Sequence, residues 1–408
     1  MADEAAKLVA KMPVRDGGEC TCLFEPLLVS EGATSRPQLS DLALSLAEKS
    51  AALSSSLPPV IAGAFAELSR TVNCYYSSLI EGHRTRPIDI ERAVRDDFSD
   101  DPETRVLQLE ARAHVAVQQW IDEDTIDGRP FSTKAICEIH RRLCIPLPSE
   151  FEQGDTGSDD EKLAMLPGAI RSKDVQVGRH IAISPGAVPR FLVRMEQGYN
   201  TLGRIDKILS AACGHHRFLW VHPFPDGNGR VARFLSYATL RAALSTGGLW
   251  SVSRGLARRE KEYKTHLQSC DEPRSGGPEG RGGLSEGALA SFAEFFLGAC
   301  LEEVDFTRSL LEPQKLRNRV LTWAEEEVRA GILPPRSEAV LAATLYSGQL
   351  ARAEVATLTG ASDRSARRLT AALIKSGIVK SETSRAPIQL AFPIGLAARL
   401  LPGLFTEG

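Results

Sequence analysis

The chain has 408 residues, 43% of them hydrophobic, and its 49 basic residues nearly balance 52 acidic ones. This length predicts more than one folded unit, and the balanced charge excludes a chain that binds nucleic acid over its whole surface. No stretch approaches the ~20 apolar residues of a membrane helix, and the first residues, MADEAAKLVAKM, lack the apolar core of a signal peptide. Eight scattered cysteines fit reduced thiols, so we expect a cytoplasmic protein with no membrane partner.

Apolar residues at three- and four-residue steps predict a mainly α-helical chain. The predicted helices span residues 39–54, 62–81, 103–123, 132–143, 188–202, 205–220 and 230–244, with one long helical stretch over 286–329. Between Gly168 and Pro185, alternating apolar residues predict a short exposed β-hairpin. Residues 271–283 are polar and rich in glycine, and we expect no fixed fold there.

The C-terminal region has a different pattern. After a linker at residues 333–335, short helices are predicted over 339–345, 352–358 and 363–376, the last capped by Ser362, followed by a hairpin of 378–380 with 388–392. This order resembles a winged helix-turn-helix domain. Residues 351–385 carry seven Arg or Lys against three acids, a net charge of +4. DNA binding and docking onto protein both stay open for this region.

The nine residues 222–230 read HPFPDGNGR and suit the handling of a nucleotide phosphate. Glycines let backbone N–H groups approach phosphate oxygens, and the helix that follows favours anions at its N-terminus. Asp226 can hold a divalent cation, Arg230 can pair with phosphate oxygens, and His222 suits proton abstraction near neutral pH. Phe224 is expected in the core beneath the loop.

The full string resembles the signature of the Fic family, HPFx(D/E)GN(G/K)R, at every fixed position. The resemblance implies a protein adenylyltransferase that moves AMP from ATP to a Ser, Thr or Tyr hydroxyl of a target protein or of itself. It implies His222 as the catalytic base, Asp226 as the ligand of Mg²⁺, and a hairpin flap that docks the target. The implied ATP-binding residues are Gly227, Asn228, Gly229, Arg230, Arg233 and Tyr263, and the implied flap residues are Val175, Gln176, Val177 and Gly178.

Several other residues near the motif allow more than one interpretation. Ser253 and Arg254 follow it as the adenine-side residues do in related proteins. Tyr263 suits the base pocket by the same resemblance, although a tyrosine at helical spacing fits plain packing equally well. His215 and His216 suggest a metal site, whereas the family resemblance assigns them to the supporting helix.

A second family signature, (S/T)xxxE(G/N), matches Ser77, Glu81 and Gly82. Ser77 and Glu81 share a helix face, and Gly82 suits the position just after a helix C-terminus. A carboxylate near a helix C-terminus gains from a cation. We therefore expect Glu81 to pair with Arg230 and to hold the enzyme in an inhibited state, within one chain.

The sequence thus predicts a Fic helical bundle with a short β-hairpin flap and a winged helix domain after it. The predicted parts are an N-terminal helical region with the inhibitory motif (1–110), a Fic core (111–305), a connecting helix (306–333) and the winged helix domain (334–408). Because no catalytic motif lies in 334–408, a truncation there is expected to keep transfer. Alternatives are a DNA-binding regulator, an inactive scaffold, removal of AMP, and transfer of another nucleotide, and a homodimer is also open.

Overall fold

The computed structural model describes residues 14–145, 166–244, 247–274, 276 and 282–405. The chain is mainly helical, as predicted. Its helices in chain order are α1 (Arg36–Ser55), α2 (Pro59–Ile80), α3 (Pro87–Val94), α4 (Pro102–Asp122), α5 (Thr133–Cys144), α6 (Val188–Tyr199), α7 (Arg204–Val221), α8 (Asn228–Ala243), α9 (Val252–Arg258), α10 (Glu260–Cys270), α11 (Glu286–Leu310), α12 (Pro313–Arg329), α13 (Ser337–Ser347), α14 (Arg352–Thr359), α15 (Asp363–Lys375) and α16 (Ile394–Leu400). Single 3₁₀ turns lie at Thr21–Phe24 and Pro185–Ala187.

The strands are short. They are β1 (Gln176–Val177), β2 (His180–Ile181), β3 (Gln349–Leu350), β4 (Val379–Lys380) and β5 (Ile388–Leu390). The first two form the predicted antiparallel hairpin, and the others form a sheet in the order β3-β5-β4, with both pairings antiparallel.

The structure divides into two compact units, and each is built from three stretches of the chain. The first comprises residues 1–44, 116–243 and 259–297, and the second comprises 45–115, 244–258 and 298–408. These interleaved units differ from the linear order of parts expected from the sequence, because helices such as α4 and α11 contribute to both. The linear boundaries at residues 110, 305 and 333 stay predictions.

In the first unit, α7 and α8 form a helical hairpin around the HPFPDGNGR loop, with α5 and α6 packed against it. The core of this unit contains Phe191, Phe218, Phe224 and Leu235, all buried, and the Phe224 ring of the loop lies 6.4 Å from that of Phe218. Burial of these large apolar side chains, each worth roughly 1.5–3 kcal/mol, gives the loop a rigid base.

In the second unit, the C-terminal residues pack on α2. The ring of Phe392 lies 6.0 Å from that of Phe65, and the Tyr76 hydroxyl donates a hydrogen bond to the carbonyl of Leu404 at 3.1 Å. Lys380 pairs with Glu67 of α2 at 2.6 Å. Residues 334–405 therefore contribute to the core of this unit.

Several sequence expectations need correction. The long helical stretch over 286–329 is two helices, because Pro313 begins a new helix whose N-cap is Glu312. Helices α3, α9, α10 and α16 and strand β3 were not expected. Around residues 271–283, expected to lack a fixed fold, Pro273 pairs with Leu284 in an isolated bridge, and part of that stretch lies outside the described residues.

The three predicted C-terminal helices and the hairpin after them form at the expected positions, and the Ser362 hydroxyl accepts a hydrogen bond from the Ser365 N–H as the helix cap. The identification of this region as a winged helix domain stays a prediction. Among the described residues, no single helix is long and apolar enough to cross a membrane, whereas the bent pair α1 and α2 passes by length and composition together.

Candidate active site

The HPFPDGNGR loop begins where α7 ends. His222 takes a left-handed backbone conformation, with φ +49° and ψ +62°, which turns the chain out of the helix. Few non-glycine residues adopt this conformation, and such strain concentrates at functional sites. Two side-chain contacts close the loop: Asn228 Oδ1 accepts from the Phe224 N–H at 3.0 Å, and Asn228 Nδ2 donates to the Phe224 carbonyl at 2.8 Å.

The side chain of Asn228 is therefore engaged in holding the loop. We expected it to cradle phosphates, and what remains for that purpose is its backbone N–H. Phe224 is fully buried beneath the loop, as expected, and its ring stacks on His140 with centroids 3.8 Å apart.

The His222 ring is held in one tautomer. Its Nδ1 lies 3.3 Å from the carbonyl of Leu219, which can only accept, so Nδ1 carries the proton and Nε2 keeps its lone pair. Burial lowers the pKa of His222 to about 4, with smaller lowering by Arg171 and His180 and opposing effects from the Leu219 hydrogen bond and Asp226. The ring is thus neutral at pH 7, as a proton acceptor must be.

The loop ends at a helix N-terminus that suits an anion. The carbonyl of Gly227 accepts from the Val231 N–H at 3.0 Å, so Gly227 caps α8, and it has φ +77°. The amides of Gly227, Asn228 and Gly229 belong to the first turn, where a helix offers its N–H groups no acceptor of its own. Together with the helix dipole, these groups are suited to an anion, and we call residues 227–229 the phosphate-binding turn. Phosphate binding there stays a prediction.

Asp226 places a negative charge at this turn and Arg230 a positive one. Arg230 Nη2 lies 3.0 Å from Asp226 Oδ2, and the Asp226 side chain is 53% exposed whereas that of Arg230 is 8% exposed. Arg233, one turn further along α8, is buried. Asp226 therefore presents its carboxylate to solvent next to a sheltered guanidinium.

The donor set fits Mg²⁺ held together with a nucleotide. Within the described residues, no group of three or more His, Cys, Asp or Glu side chains could hold a metal by itself. Mg²⁺ commonly takes one or two carboxylates, several waters and substrate phosphates. The exposed Asp226 carboxylate beside the phosphate-binding turn is suited to that arrangement.

A buried arginine that sequence analysis did not identify supports the loop. Arg171 donates through Nε to the carbonyl of His222 at 2.7 Å and through Nη1 to that of Lys173 at 2.9 Å, and Nη2 donates to the Ile183 carbonyl. Its own N–H donates to the carbonyl of Pro223 at 2.9 Å. Burial lowers the pKa of Arg171 to about 10, so the group stays charged at pH 7.

The hairpin also contributes a cap to α7. His180 Nε2 donates to the carbonyl of Trp220 at 2.7 Å, next to the carbonyls that Arg171 engages. The last carbonyls of a helix lack intrahelical donors, so these side chains supply what α7 requires at its end. The residues before and within the hairpin thereby fix the end of the helix that carries His222.

The predicted flap is confirmed as an antiparallel hairpin. Gln176 pairs with Ile181 and Val177 with His180, and Gly178 in the turn has φ +59°. Val175 extends the ladder through its carbonyl, which accepts from the Ala182 N–H at 3.2 Å. Val177 is 48% exposed and Ile181 is 72% exposed, so the hairpin presents apolar side chains to solvent. Target docking by the flap stays a prediction.

Tyr263 and the two histidines of α7 form part of a buried polar network. The Tyr263 hydroxyl lies 2.7 Å from His215 Nε2, and the Ser236 hydroxyl lies 2.9 Å from His215 Nδ1. His216 Nε2 contacts Asp271 Oδ1 at 2.9 Å. Burial lowers the pKa of His215 to about 3 and that of His216 to about 4.

This network fits the packing alternative for Tyr263, which is 3% exposed, better than a base pocket. It also places His215 and His216 on the supporting helix, as the family resemblance implied. For the metal alternative, a third ligand is missing from the described part of the chain.

Arg254, expected on the adenine side, lies in a buried network of the second unit, and its part in nucleotide binding stays a prediction. Its guanidinium is buried in the second unit, where it pairs with Glu303 at 2.6 Å and donates to the carbonyls of Gly403 at 2.7 Å and Leu404 at 3.2 Å. It also lies 3.7 Å from the centroid of the Phe306 ring. Arg254 thus holds the C-terminal residues of this unit in place.

The second signature ends a helix as predicted. Helix α2 stops at Ile80, Glu81 is its C-cap, and Gly82 has φ +86°. The His83 N–H donates to the Ser78 carbonyl at 2.9 Å, and the Gly82 N–H donates to the Leu79 carbonyl at 3.0 Å, which together form a Schellman motif. Ser77 is fully buried. Glu81 belongs to the second unit and Arg230 to the first, and their pairing stays a prediction.

Comparison with known sequences identifies the region around the loop. The Fic/DOC family matches residues 130–240. The chain is 28% identical over 176 residues to the protein adenylyltransferase Fic of Drosophila erecta, covering 41% of this chain and 32% of the relative. It is 30% identical over 206 residues to the same-named protein of Aedes aegypti, covering 48% and 36%. The chain thus spans about a third of the length of these curated relatives.

Solved structures give the same answer for the fold. A Fic family protein from Desulfovibrio desulfuricans G20 matches with a TM-score of 0.51 at 17% identity, covering 90% of this chain and 98% of that one. A Fic domain containing signaling protein from Bacteroides thetaiotaomicron VPI-5482 matches with a TM-score of 0.51 at 18% identity, covering 65% and 95%. The match over residues 130–240, with the complete HPFPDGNGR loop inside it, identifies this part of the chain as a Fic domain of the Fic/DOC family.

Proposed function

We propose that this chain is a protein adenylyltransferase that transfers AMP from ATP to a Ser, Thr or Tyr hydroxyl, and that Glu81 restrains it by pairing with Arg230. The observation that carries the proposal is the geometry of the loop: a neutral histidine with its Nε2 lone pair kept, placed next to a helix N-terminus with Asp226 and Arg230. The names of the relatives in Drosophila erecta and Aedes aegypti, both protein adenylyltransferase Fic, support the same activity.

The transfer follows from these positions. The attacking hydroxyl oxygen forms a bond to the α-phosphorus of ATP, and the bond between that phosphorus and the bridging oxygen breaks, so that pyrophosphate leaves. His222 Nε2 takes the proton of the hydroxyl. The amides of the phosphate-binding turn and the Arg230 guanidinium hold the phosphate oxygens, so the protein contributes positioning and charge. Mg²⁺, held by Asp226, would offset the negative charge of the phosphates.

The inhibitory part of the proposal rests on α2. The Schellman motif fixes the backbone on both sides of Glu81. The Glu81 side chain therefore extends from a fixed position at the end of the helix. The helix dipole disfavours a negative charge there and favours its pairing with a cation. Arg230 engaged by Glu81 cannot also hold a phosphate. Loss of the Glu81 charge should therefore raise transfer.

Labelled nucleotides test both parts. Wild type, Glu81→Gly and Glu81→Gln are incubated with Mg²⁺ and ATP, GTP, UTP or CTP labelled at the α-phosphorus, and covalent label on protein is counted. We expect label from ATP and more of it with either variant. Glu81→Gln keeps the side-chain length without the charge, so an increase with glycine alone would attribute restraint to backbone rigidity. Absence of label in all variants with every nucleotide would refute the transfer.

A second candidate function is DNA binding by the C-terminal region. Helix α15 exposes Arg364, Arg367, Arg368 and Lys375, whereas Arg352 donates to the carbonyl of Ala386 at 3.0 Å and is engaged in the fold. Exposed basic side chains along one helix suit a phosphate backbone. A gel shift with genomic fragments, with and without ATP, tests this candidate. A shift lost in the double variant Arg367→Ala, Arg368→Ala supports it, and no shift for wild type in low salt contradicts it.

A further inference from the structure

His140 of α5 is a buried histidine with both ring nitrogens engaged. Its Nδ1 accepts a hydrogen bond from the Gly168 N–H at 2.9 Å, and its Nε2 lies 3.2 Å from the carbonyl oxygen of Asp226. An amide N–H only donates, so Nδ1 carries no proton, and the proton on Nε2 is donated to the Asp226 carbonyl. Cys144 Sγ, 3.5 Å from Nε2, is a second and weaker neighbour.

The bond to Asp226 fixes the direction of the next amide. The carbonyl of Asp226 and the N–H of Gly227 belong to one planar peptide unit, and in a trans peptide these two groups point in opposite directions. The Asp226–Gly227 peptide is trans, since the one cis peptide in the described residues joins Glu25 to Pro26. A carbonyl held toward His140 therefore turns the Gly227 N–H away from α5.

Two further contacts keep the His140 ring in place. It stacks on Phe224 with an interplanar angle of 6°. Gly168, with φ +83°, approaches α5 so closely that a Cβ there would lie 2.9 Å from both the Cys137 carbonyl and Arg141 Cβ. Gly227 shows a similar approach from the other side, since its Cβ would lie 3.6 Å from His140 Cδ2. Two glycine turns thus converge on one imidazole.

We propose that His140 is a positioning residue for nucleotide binding, which orients the Asp226–Gly227 peptide so that the Gly227 N–H faces the phosphates of ATP. This inference rests on the proposed function. A buried histidine with a purely structural role would need only to fill its space and satisfy its nitrogens. The ring here engages the peptide that begins the phosphate-binding turn, and its other nitrogen holds the segment that leads into the flap.

Three substitutions separate positioning from packing. His140→Phe keeps the stacked ring and removes both hydrogen bonds. His140→Gln keeps a donor at the reach of Nε2, and His140→Asn keeps an acceptor at the reach of Nδ1. Each substitution is made in full-length Glu81→Gly protein, in which the proposed restraint is removed. Each variant is compared with Glu81→Gly protein for the KM of ATP and the kcat of AMP transfer, and for the Kd of ADP by calorimetry.

We expect His140→Phe to raise the KM of ATP and the Kd of ADP about tenfold, the loss typical of one hydrogen bond to a charged group, with a smaller change in kcat. His140→Gln should recover most of the affinity and His140→Asn should not. Equal affinities of the Gln and Asn variants, or a phenylalanine variant with unchanged affinity, would refute the assignment, and the Gln and Asn pair decides the matter if the Phe variant does not fold.

The ADP measurement separates the two proposals. Glu81→Gly protein that binds ADP without transferring AMP, with affinity that depends on the donor at position 140, would refute the proposed function and leave the role of His140 standing. Glu81→Gly protein that transfers AMP, with nucleotide affinity that is indifferent to position 140, would refute the role of His140 alone.

Discussion

Replacement of Arg171 by lysine should lower the kcat of AMP transfer and leave the KM of ATP nearly unchanged. Arg171 reaches the carbonyls of Lys173, Ile183 and His222 with a planar fork of nitrogens. Lysine keeps the positive charge but has one nitrogen, which cannot engage three carbonyls from separate segments. The residues that flank the hairpin, Lys173 and Ile183, and the end of α7 would then no longer be bound by one side chain.

The magnitude follows from the contact with His222. A hydrogen bond from a charged donor contributes about 1.5–3 kcal/mol. The bond of 2.7 Å from Arg171 Nε to the His222 carbonyl is the one that bears on His222, the proposed catalytic base. If that energy is lost from the positioned state of His222, kcat falls about 10- to 150-fold. The phosphate-binding turn is held by Asn228 and His140, which the substitution does not touch, so ATP affinity should persist.

Steady-state transfer with labelled ATP, over a range of ATP concentrations, gives kcat and KM separately. Arg129→Lys is the matched control, since Arg129 is an exposed arginine of the same unit. A thermal melt of each variant checks that the chain folds. A rise in KM with unchanged kcat, or an Arg171→Lys enzyme with wild-type kcat, would refute the reasoning that Arg171 acts through His222.

Three other predictions follow from the same contacts. Asp226→Ala should abolish transfer and its dependence on Mg²⁺, because Asp226 supplies the only carboxylate of the loop. Full transfer by this variant, or wild-type transfer in EDTA, would contradict the proposal that Asp226 holds Mg²⁺. Acid should destabilise the fold between about pH 6.5 and pH 4. Burial lowers the pKa of His140, His216 and His222 to about 4 and that of His215 to about 3. In this pH range the unfolded chain therefore binds protons that the folded chain does not, and the free energy of unfolding falls as the pH falls. Urea midpoints at pH 7 and 5 measure this, His215→Phe should weaken the dependence, and equal wild-type midpoints would exclude it. Truncation after residue 333 should lower the melting temperature, because it uncovers Phe65 and removes the carbonyls held by Arg254. An unchanged melting temperature would show that the C-terminal region folds independently, and the expectation from sequence that the truncated chain keeps transfer stays a prediction.

The sequence predicted what local chemistry dictates. The HPFPDGNGR string indicated a turn between two helices, and Gly82 indicated the end of α2, because glycine at a positive φ leaves a signal in one short segment. The position of Phe224 in the core followed in the same way. Each of these features depends on residues close together in the chain.

The supporting contacts could not be predicted from local patterns. Arg171 and His140 bind backbone carbonyls and amides of segments far away in the sequence, and any residue type can supply such a group. The role of Arg254 was missed for the same reason, since it depends on residues about 150 positions further along the chain. The break at Pro313 did leave a signal, because proline favours the first turn of a helix over its interior.

The central claim is that this chain transfers AMP and that His222 accepts the proton. Its most direct test uses Glu81→Gly protein with or without His222→Ala, supplied with Mg²⁺ and ATP labelled at either the α- or the γ-phosphorus. We expect covalent label from α-labelled ATP alone, reduced roughly 10²- to 10⁴-fold by His222→Ala in protein that still folds. Label from γ-labelled ATP, or equal labelling with and without His222, would contradict it.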